Sequence, residues 1–268
     1  MKSQRPTFSI TTDLAGQKRP AAELFPVFAA AGFAAVHWCQ DWTGEPVLYD
    51  EAFADETRRL AEDHALRVAD VHGYAGSDDA PETRAEDVFQ AVNANRARFA
   101  ARVGADVLVL HLPVPRTTDL AEAVSRATGN VRRLLDACRD LGVRLAVENL
   151  CGPVHVPAFF DALIEAFGPD ELGFCYDSGH ALLSGQGGIL GRYADRLLAT
   201  HLHDNDGTAD QHRPPGEGLA DWPAILAALK ACGYSGTVNL EVRLPAGDDL
   251  ATFCRQAYET LTSLWPDA

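Results

Sequence analysis

The sequence predicts an α/β protein folded as a single (β/α)8 TIM barrel over residues 1–268, with its functional site at the C-terminal ends of the strands. Apolar, strand-like runs alternate with segments of helical periodicity along the chain. The length of 268 residues is close to the roughly 250 typical of this barrel. Side chains that bind metals or transfer protons recur where the apolar runs end. Because a barrel gathers its strand ends on one face, these side chains would meet in one pocket.

The predicted strands are near-continuous apolar runs, as expected of a parallel sheet covered by helices. They lie near residues 6–12, 33–38, 66–72, 105–111, 143–149, 171–177, 197–203 and 236–242. A doubly wound open sheet is the alternative. That fold would place its ligand at a reversal of strand order and would not gather groups from nearly every strand.

The segments between the strands have helical spacing and recognisable ends. The clearest helical patterns cover residues 58–65, 91–105, 123–142 and 221–233. Gly104, Gly142 and Gly233 stand where a helix should stop before the next strand. Asp221, which precedes a Trp-Pro pair, predicts a capped helix N-terminus with proline in the first turn.

Composition limits which partners the protein can bind and in which compartment it is expected. A formal net charge of -15 repels phosphate backbones, so nucleic-acid binding is disfavoured. The six cysteines include no Cys-x-x-Cys pair, which in a chain of this length indicates reduced, mostly buried thiols. The N-terminus lacks an apolar signal region, and no apolar run approaches the length of a membrane span. We therefore expect a cytoplasmic protein without a membrane partner, and a homo-oligomer is compatible with the sequence.

Three carboxylates follow or end predicted strands, namely Glu148, Asp177 and Glu241. A buried carboxylate is costly unless it is paired or bound to a cation. For the two glutamates the structural alternative is a salt bridge to a neighbouring arginine, such as Arg144 or Arg243. For the aspartate the alternative is to cap the helix that follows its strand.

Histidines occupy the same kind of position. His72, His111 and His203 end predicted strands, and His180 follows one of the carboxylates by three residues. His201 alternates with His203 along one strand and so would lie deeper on the same side. We interpret it as a hydrogen-bonded core histidine or as the partner of a ligand.

The loop after His203 is the densest polar stretch. Asp210 and His212 lie two residues apart, so they either enter the same pocket or remain solvated loop residues. The sequence DNDG at residues 204–207 predicts a turn whose acidic residues are mainly structural.

The ordered set of motifs VEN, YDSGH, HLHDND…PPGEG and LE resembles the xylose-isomerase-like sugar isomerase/epimerase superfamily, which also contains endonuclease IV-type AP endonucleases. The resemblance covers residues 71–243 and implies a metal-dependent isomerase or epimerase. The ketose 3-epimerases of this group hold one divalent ion with four strand-end residues. Carried over by motif, those ligands are Glu148, Asp177, His203 and Glu241. The expected ion is Mn²⁺, with Mg²⁺, Co²⁺ and Zn²⁺ as alternatives.

The resemblance also implies roles in catalysis and substrate binding. Glu148 and Glu241 would be the catalytic residues, moving a proton on opposite faces of a sugar or keto-sugar through an enediolate. The expected substrate-binding residues are His180, His72, His111 and His212. His37, Trp38 and Trp42 follow or end the second strand. The histidine could line the pocket, and the tryptophans could stack on a sugar or pack over the barrel rim.

Two positions depart from the epimerases that the chain resembles. His212 stands where those epimerases carry an arginine, and Val154 stands where they carry a second glutamate. The ligand pattern of the three-zinc endonucleases maps to His72, His111, Glu148, Asp177, His180, His203, Asp210, His212 and Glu241. Their DTCH motif appears here as DSGH. The alternatives are therefore a multi-zinc phosphodiesterase, a keto-sugar lyase and a sugar-binding barrel without activity.

Overall fold

Eight parallel strands form the centre of the protein in a computed structural model that describes residues 6–14, 19–76, 85–113, 119–152 and 156–265. The strands are β1 Thr7–Thr11, β2 Ala35–Trp38, β3 Arg67–His72, β4 Val107–Leu110, β5 Arg144–Glu148, β6 Leu172–Asp177, β7 Leu197–His201 and β8 Thr237–Leu240. Each one lies inside the apolar run that predicted it. The predicted (β/α)8 barrel is confirmed.

The sheet runs in the order β7-β6-β5-β4-β3-β2-β1-β8, and the two end strands approach each other to close the barrel. At the top of this seam, Leu202 donates to Asn239 O at 2.9 Å and accepts from Glu241 N at 3.0 Å. Lower down, the Thr200 hydroxyl donates to Thr237 O at 3.1 Å and accepts from Asn239 N at 3.2 Å. A side chain thus replaces part of the backbone ladder where β7 meets β8.

Helices cover the outside of the sheet. They are α1 Ala21–Ala31, α2 Glu51–Asp63, α3 Glu86–Val103, α4 Leu120–Cys138, α5 Pro157–Glu165, α6 Ser178–Leu183, α7 Ile189–Arg192, α8 Trp222–Ala231 and α9 Leu250–Leu264. Gly104 ends α3 in the left-handed conformation, and Asp221 caps α8 by accepting from Ala224 N at 3.1 Å, both as predicted. Within the described ranges, no helix is long and apolar enough to span a membrane.

The main hydrophobic core lies between the strands and the helices. Trp38 belongs to this layer, since it is 1% exposed and contacts the rings of Phe25, Tyr49 and Phe99. For Trp38 the packing interpretation is therefore correct, and stacking on a sugar is excluded. All six cysteines are free, as expected, and four of them are buried.

The inside of the barrel is divided into an apolar half and a polar half. On β4 to β7 the small apolar cluster consists of Val107, Val109, Ala146, Cys175 and Ala199. On β8 and β1 to β3 the interior holds the buried polar side chains Ser9, His37, Asp70 and Asn239. Asp70 on β3 and His201 on β7 are not on neighbouring strands, yet Asp70 Oδ2 lies 3.5 Å from His201 Nε2. Their contact crosses the barrel interior directly beneath the pocket.

Candidate active site

Glu148, the last residue of β5, is surrounded by histidines and is 1% exposed. Its Oε2 lies 3.1 Å from His111 Nε2 and 3.9 Å from His72 Nε2, and its Oε1 lies 3.2 Å from His180 Nδ1. Arg144 stands at the opposite end of the same strand and cannot reach it. The imidazoles, not an arginine, are the partners of this carboxylate.

Asp177 caps a helix with one carboxylate oxygen and faces the cluster with the other. Its Oδ1 caps α6 by accepting from His180 N at 2.6 Å, while its Oδ2 lies 3.1 Å from His203 Nε2. Asn149 fixes its backbone from the next strand, donating to Asp177 O at 2.8 Å and accepting from Asp177 N at 2.7 Å. The cap orients the carboxylate so that one oxygen remains available to the pocket.

The SGH sequence after Asp177 fits closely around His203. The Ser178 hydroxyl donates to His203 O at 2.7 Å and accepts from His203 N at 2.9 Å. A Cβ atom built on Gly179 would lie 1.8 Å from His203 Cε1, so the imidazole occupies the space of the missing side chain. Gly179 stands where the DTCH motif has its cysteine. A cysteine at this position would clash with the His203 ring as it lies here.

Glu241 lies one residue beyond β8 and faces Glu148 across a single imidazole. His201 Nδ1 lies 2.9 Å from Glu148 Oε2 and 3.1 Å from Glu241 Oε2. Burial opposes ionisation of both glutamates, but His201 holds the pKa of each well below its usual range. Both carboxylates are therefore charged at neutral pH. As expected from their positions along the strand, His201 lies deeper in the barrel than His203.

The loop residues Asp210 and His212 enter the same cluster. His212 Nε2 bonds to Asp210 Oδ2 at 3.1 Å, and His212 Nδ1 lies 2.7 Å from Glu241 O. The His212 ring stacks on His203 at 4.0 Å, and Asp210 Oδ2 lies 3.5 Å from His180 Nε2. Burial lowers the proton affinity of His212, yet Asp210 outweighs it and raises the pKa of His212 to about 9. Asp210 and His212 therefore belong to the pocket and are not simply solvated loop residues.

On the opposite side, Trp42 covers the two strand-end histidines. Its ring lies 5.1 Å from that of His72 and 5.7 Å from that of His111, and its Nε1 donates to Asp13 Oδ2 at 2.9 Å. His72 Nδ1 bonds to Gly73 O at 2.7 Å, so its Nε2 points toward the glutamate. Burial, followed by the neighbouring His111, lowers the pKa of His72 to about 3, which keeps this imidazole neutral.

The cluster has the donor atoms of a divalent-cation site. The His203 Nε2 and Asp177 Oδ2 atoms lie 3.1 Å apart, as do His111 Nε2 and Glu148 Oε2. None of these four buried atoms has a hydrogen-bond partner among the described residues. Lone pairs that converge without hydrogen bonds are typical of atoms that bind a cation. Imidazole with carboxylate suits Mn²⁺, Mg²⁺, Co²⁺ or Zn²⁺.

The structure brings all eight predicted residues into this one cluster, and their individual roles stay predictions. Val154, the position compared with the second glutamate of the epimerases, lies outside the described residues. Sequence reasoning missed Asp70 and underrated His37, which form a buried layer under the pocket. Asp70 stands two residues before His72, and His37 stands two residues before Cys39. Side chains able to bind a metal at alternate positions of an apolar strand were the available signal.

Asp204 has a structural role, as the turn interpretation predicts. Its buried carboxylate accepts from Asn205 N, Gly216 N, Ala220 N and Trp222 Nε1 at 2.8 to 3.1 Å. These bonds tie the loop after β7 to the start of α8.

A family profile described as the xylose isomerase-like TIM barrel matches residues 25–257. The chain belongs to this family. Among curated relatives, the protein y4fM of Sinorhizobium fredii is 30% identical over 79% of this chain and 77% of its own length. An inosose dehydratase of Lacticaseibacillus casei is 29% identical over 43% of this chain and 45% of its own length.

Solved structures share this fold. The 3-keto-D-glucoside 4-epimerase YcjR from E. coli superposes with a TM-score of 0.74 at 18% identity, covering 97% of this chain and all of that chain (100%). At this identity the similarity establishes the barrel alone. What the site does must be argued from its own residues.

Proposed function

We propose that this member of the family is a divalent-metal-dependent isomerase or epimerase of a sugar or keto-sugar. The observation that carries the proposal is the approach of Glu148 and Glu241 to the same nitrogen of His201, at 2.9 and 3.1 Å. Two charged carboxylates therefore border one pocket, which is the arrangement needed to remove a proton and to return one. The named relatives, a dehydratase and an epimerase of polyhydroxylated substrates, support the same substrate class.

One divalent ion would be held by Glu148, Asp177, His203 and Glu241, with Mn²⁺ as the first choice. The unpartnered atoms His203 Nε2 and Asp177 Oδ2 support this ligand set. When bound there, the cation polarises the substrate carbonyl and stabilises negative charge on its oxygen.

The protein side chains carry out the proton transfers. One glutamate removes the proton from the carbon next to the carbonyl, which leaves an enediolate. In epimerisation the other glutamate delivers a proton to the opposite face of the same carbon. In isomerisation a proton returns to the neighbouring carbon. Because both carboxylates are ionised in the free protein, either can serve as the base.

The histidines around the glutamates would bind the substrate hydroxyl groups. The contacts of His180 with both Glu148 and Asp177 support a role for it in holding the oxygen next to the reacting carbon. His72, which burial keeps neutral, and His111 would contact the sugar from the side covered by Trp42. His212 would act from the loop side. A small molecule is thus the proposed partner, without nucleic acid or membrane.

Dehydration is the closest variation on this chemistry. A lyase would remove the same proton with the same glutamate and then lose hydroxide from the adjacent carbon. The inosose dehydratase relative supports keeping this possibility within the proposal. Product analysis distinguishes it from epimerisation, because only the lyase product has lost water.

A second candidate, a multi-zinc phosphodiesterase, rests on two further groups of donors. His72, His111 and Glu148 could together hold an ion. Asp210 Oδ2 lies 3.1 Å from His212 Nε2 and 3.5 Å from His180 Nε2. The net charge of -15 argues against a duplex substrate, since an acidic surface repels the phosphate backbone. Sugar chemistry therefore remains the preferred function.

The decisive experiment is proton exchange in D₂O. Metal-loaded protein is incubated with a panel of ketoses, keto-glycosides and inososes, and NMR detects deuterium on the carbon next to the carbonyl. We expect exchange with at least one compound and none with Glu148→Gln. Incision of abasic duplex DNA, together with no exchange across the panel, would favour the phosphodiesterase instead.

A further inference from the structure

A thiol, an imidazole and a carboxylate converge just behind the proposed catalytic centre. His37 and Cys39 stand two residues apart at the end of β2, so both side chains point into the barrel. His37 Nε2 lies 3.9 Å from Glu241 Oε1, and Cys39 Sγ lies 3.9 Å from the same oxygen. The exposed fractions of these residues are 0%, 1% and 8% for His37, Cys39 and Glu241.

His37 is held in the orientation of a metal ligand. Its Nδ1 bonds to Asp70 Oδ2 at 3.0 Å, which leaves Nε2 with a lone pair directed at the group. Nε2 is buried and has no hydrogen-bond partner in the described part of the chain. A carboxylate that fixes the far nitrogen of an imidazole is the usual outer partner of a metal-binding histidine.

Cys39 is fixed through its backbone, because Cys39 N donates to Thr12 Oγ1 at 2.9 Å. Its thiol makes a contact with the glutamate that is too long for a strong hydrogen bond. Tetrahedral ligands around Zn²⁺ are separated by roughly 3.3–3.8 Å, given bonds of about 2.0–2.3 Å. The observed separations of 3.9 Å are close to that spacing.

We propose that His37, Cys39 and Glu241 form a second cation site, specific for a thiophilic divalent ion such as Zn²⁺. The site uses Glu241 Oε1, whereas Oε2 faces His201 and the pocket at 3.1 Å. An ion bound to Oε1, on the side of Glu241 away from the pocket, would fix the plane of its carboxylate. Three protein donors leave one position for water, and the thiol loses its proton as the ion binds.

This site shares Glu241 with the proposed catalytic ion, but it does not require the proposed sugar chemistry. Asp177 and His203, which belong to the proposed catalytic ion, contribute nothing to it. Removing either of them should leave the thiol site intact. The two proposals therefore fail separately, one by losing proton exchange and the other by losing a sulfur-ligated ion.

Cobalt(II) provides the direct test, because thiolate bound to Co²⁺ gives a near-ultraviolet charge-transfer band that oxygen and nitrogen ligands do not give. Chelator-stripped, reduced protein is titrated with Co²⁺ while absorbance and bound metal are measured. We expect a band with the amplitude of one thiolate-ligated ion per chain, in addition to the ion proposed for the catalytic site. Cys39→Ser should lose the band and one equivalent of metal, while Asp177→Asn should keep the band.

Two other cysteines serve as controls. Cys151 is exposed and Cys175 belongs to another potential donor group with Glu148 and His201. Cys151→Ser and Cys175→Ser should both retain the band. If Cys39→Ser does not fold, Cys39→Ala replaces it. A wild-type protein without the band, or a band that survives removal of Cys39, would overturn the proposal and leave Cys39 as a buried neighbour of the glutamate.

Discussion

The ring of His203 lies in the volume that a side chain at Gly179 would fill, with a hypothetical Cβ only 1.8 Å from His203 Cε1. Gly179→Ala must therefore displace the imidazole that we assign to the metal. We expect about a 10- to 100-fold loss of metal affinity, the range found when the support of a ligand is disturbed. Isothermal titration with Mn²⁺ measures it. Gly191→Ala is the matched control, since nothing lies within 4 Å of its added methyl group.

Replacing either proposed base should abolish most of the proton exchange. Glu148→Gln and Glu241→Gln keep the size of the side chain but remove its basicity. We expect turnover to fall by roughly 10²- to 10⁴-fold in each variant. Metal content is measured in parallel, so that loss of the ion is separated from loss of the base. Near-normal turnover in one of the two variants would restrict the mechanism to a single base.

The His212–Asp210 pair predicts a pH dependence of stability in the metal-free protein. The pKa of His212 is raised to about 9 in the folded state from an ordinary value of 6.5. Protonated His212 therefore favours the folded state. This contribution is complete below about pH 6.5 and disappears as the pH rises through about 9. Urea unfolding from about pH 6 to pH 10 should show it, and His212→Gln should lack that part of the decline.

Asp204 should matter for stability and not directly for chemistry. Asp204→Ala leaves four donors without their acceptor, including the indole of Trp222. Each buried unpaired group costs about 1–3 kcal/mol, so we expect a loss of more than about 3 kcal/mol in the free energy of unfolding. Asp204→Asn retains one carbonyl oxygen and should lose less. Equal losses in the two variants would show that the loop is held by other contacts.

The strands and the strand-end residues were predictable because one physical pattern governs both. An apolar run buried between helices ends where the chain reaches the pocket, and the first polar side chain there points into it. Glu148 and Asp177 are the terminal residues of β5 and β6, and both follow this rule. Asp221 was predictable as a helix cap for a similarly local reason.

The residues that were not predictable depend on contacts across the barrel. Trp38 and Trp42 are four residues apart, and only the tertiary fold sends one into the outer core and the other over His72. Asp70 lies within an apolar run, and its partners are His37, its register neighbour on β2, and His201, which lies across the barrel on β7. No local pattern contains that information, because strand pairing and barrel closure set the partners of this buried charge.

The polar half of the barrel interior implies that the protein gives up some folding stability in favour of activity. Asp70, Asn239 and Ser9 occupy positions that aliphatic side chains would fill to better advantage for folding alone. Replacing Asp70 in this way would remove the hydrogen bond that fixes His37 and the contact beneath His201. Screens that select only for heat resistance should therefore accumulate aliphatic substitutions on β8, β1 and β3. The resulting proteins should have higher thermal stability and little catalytic activity.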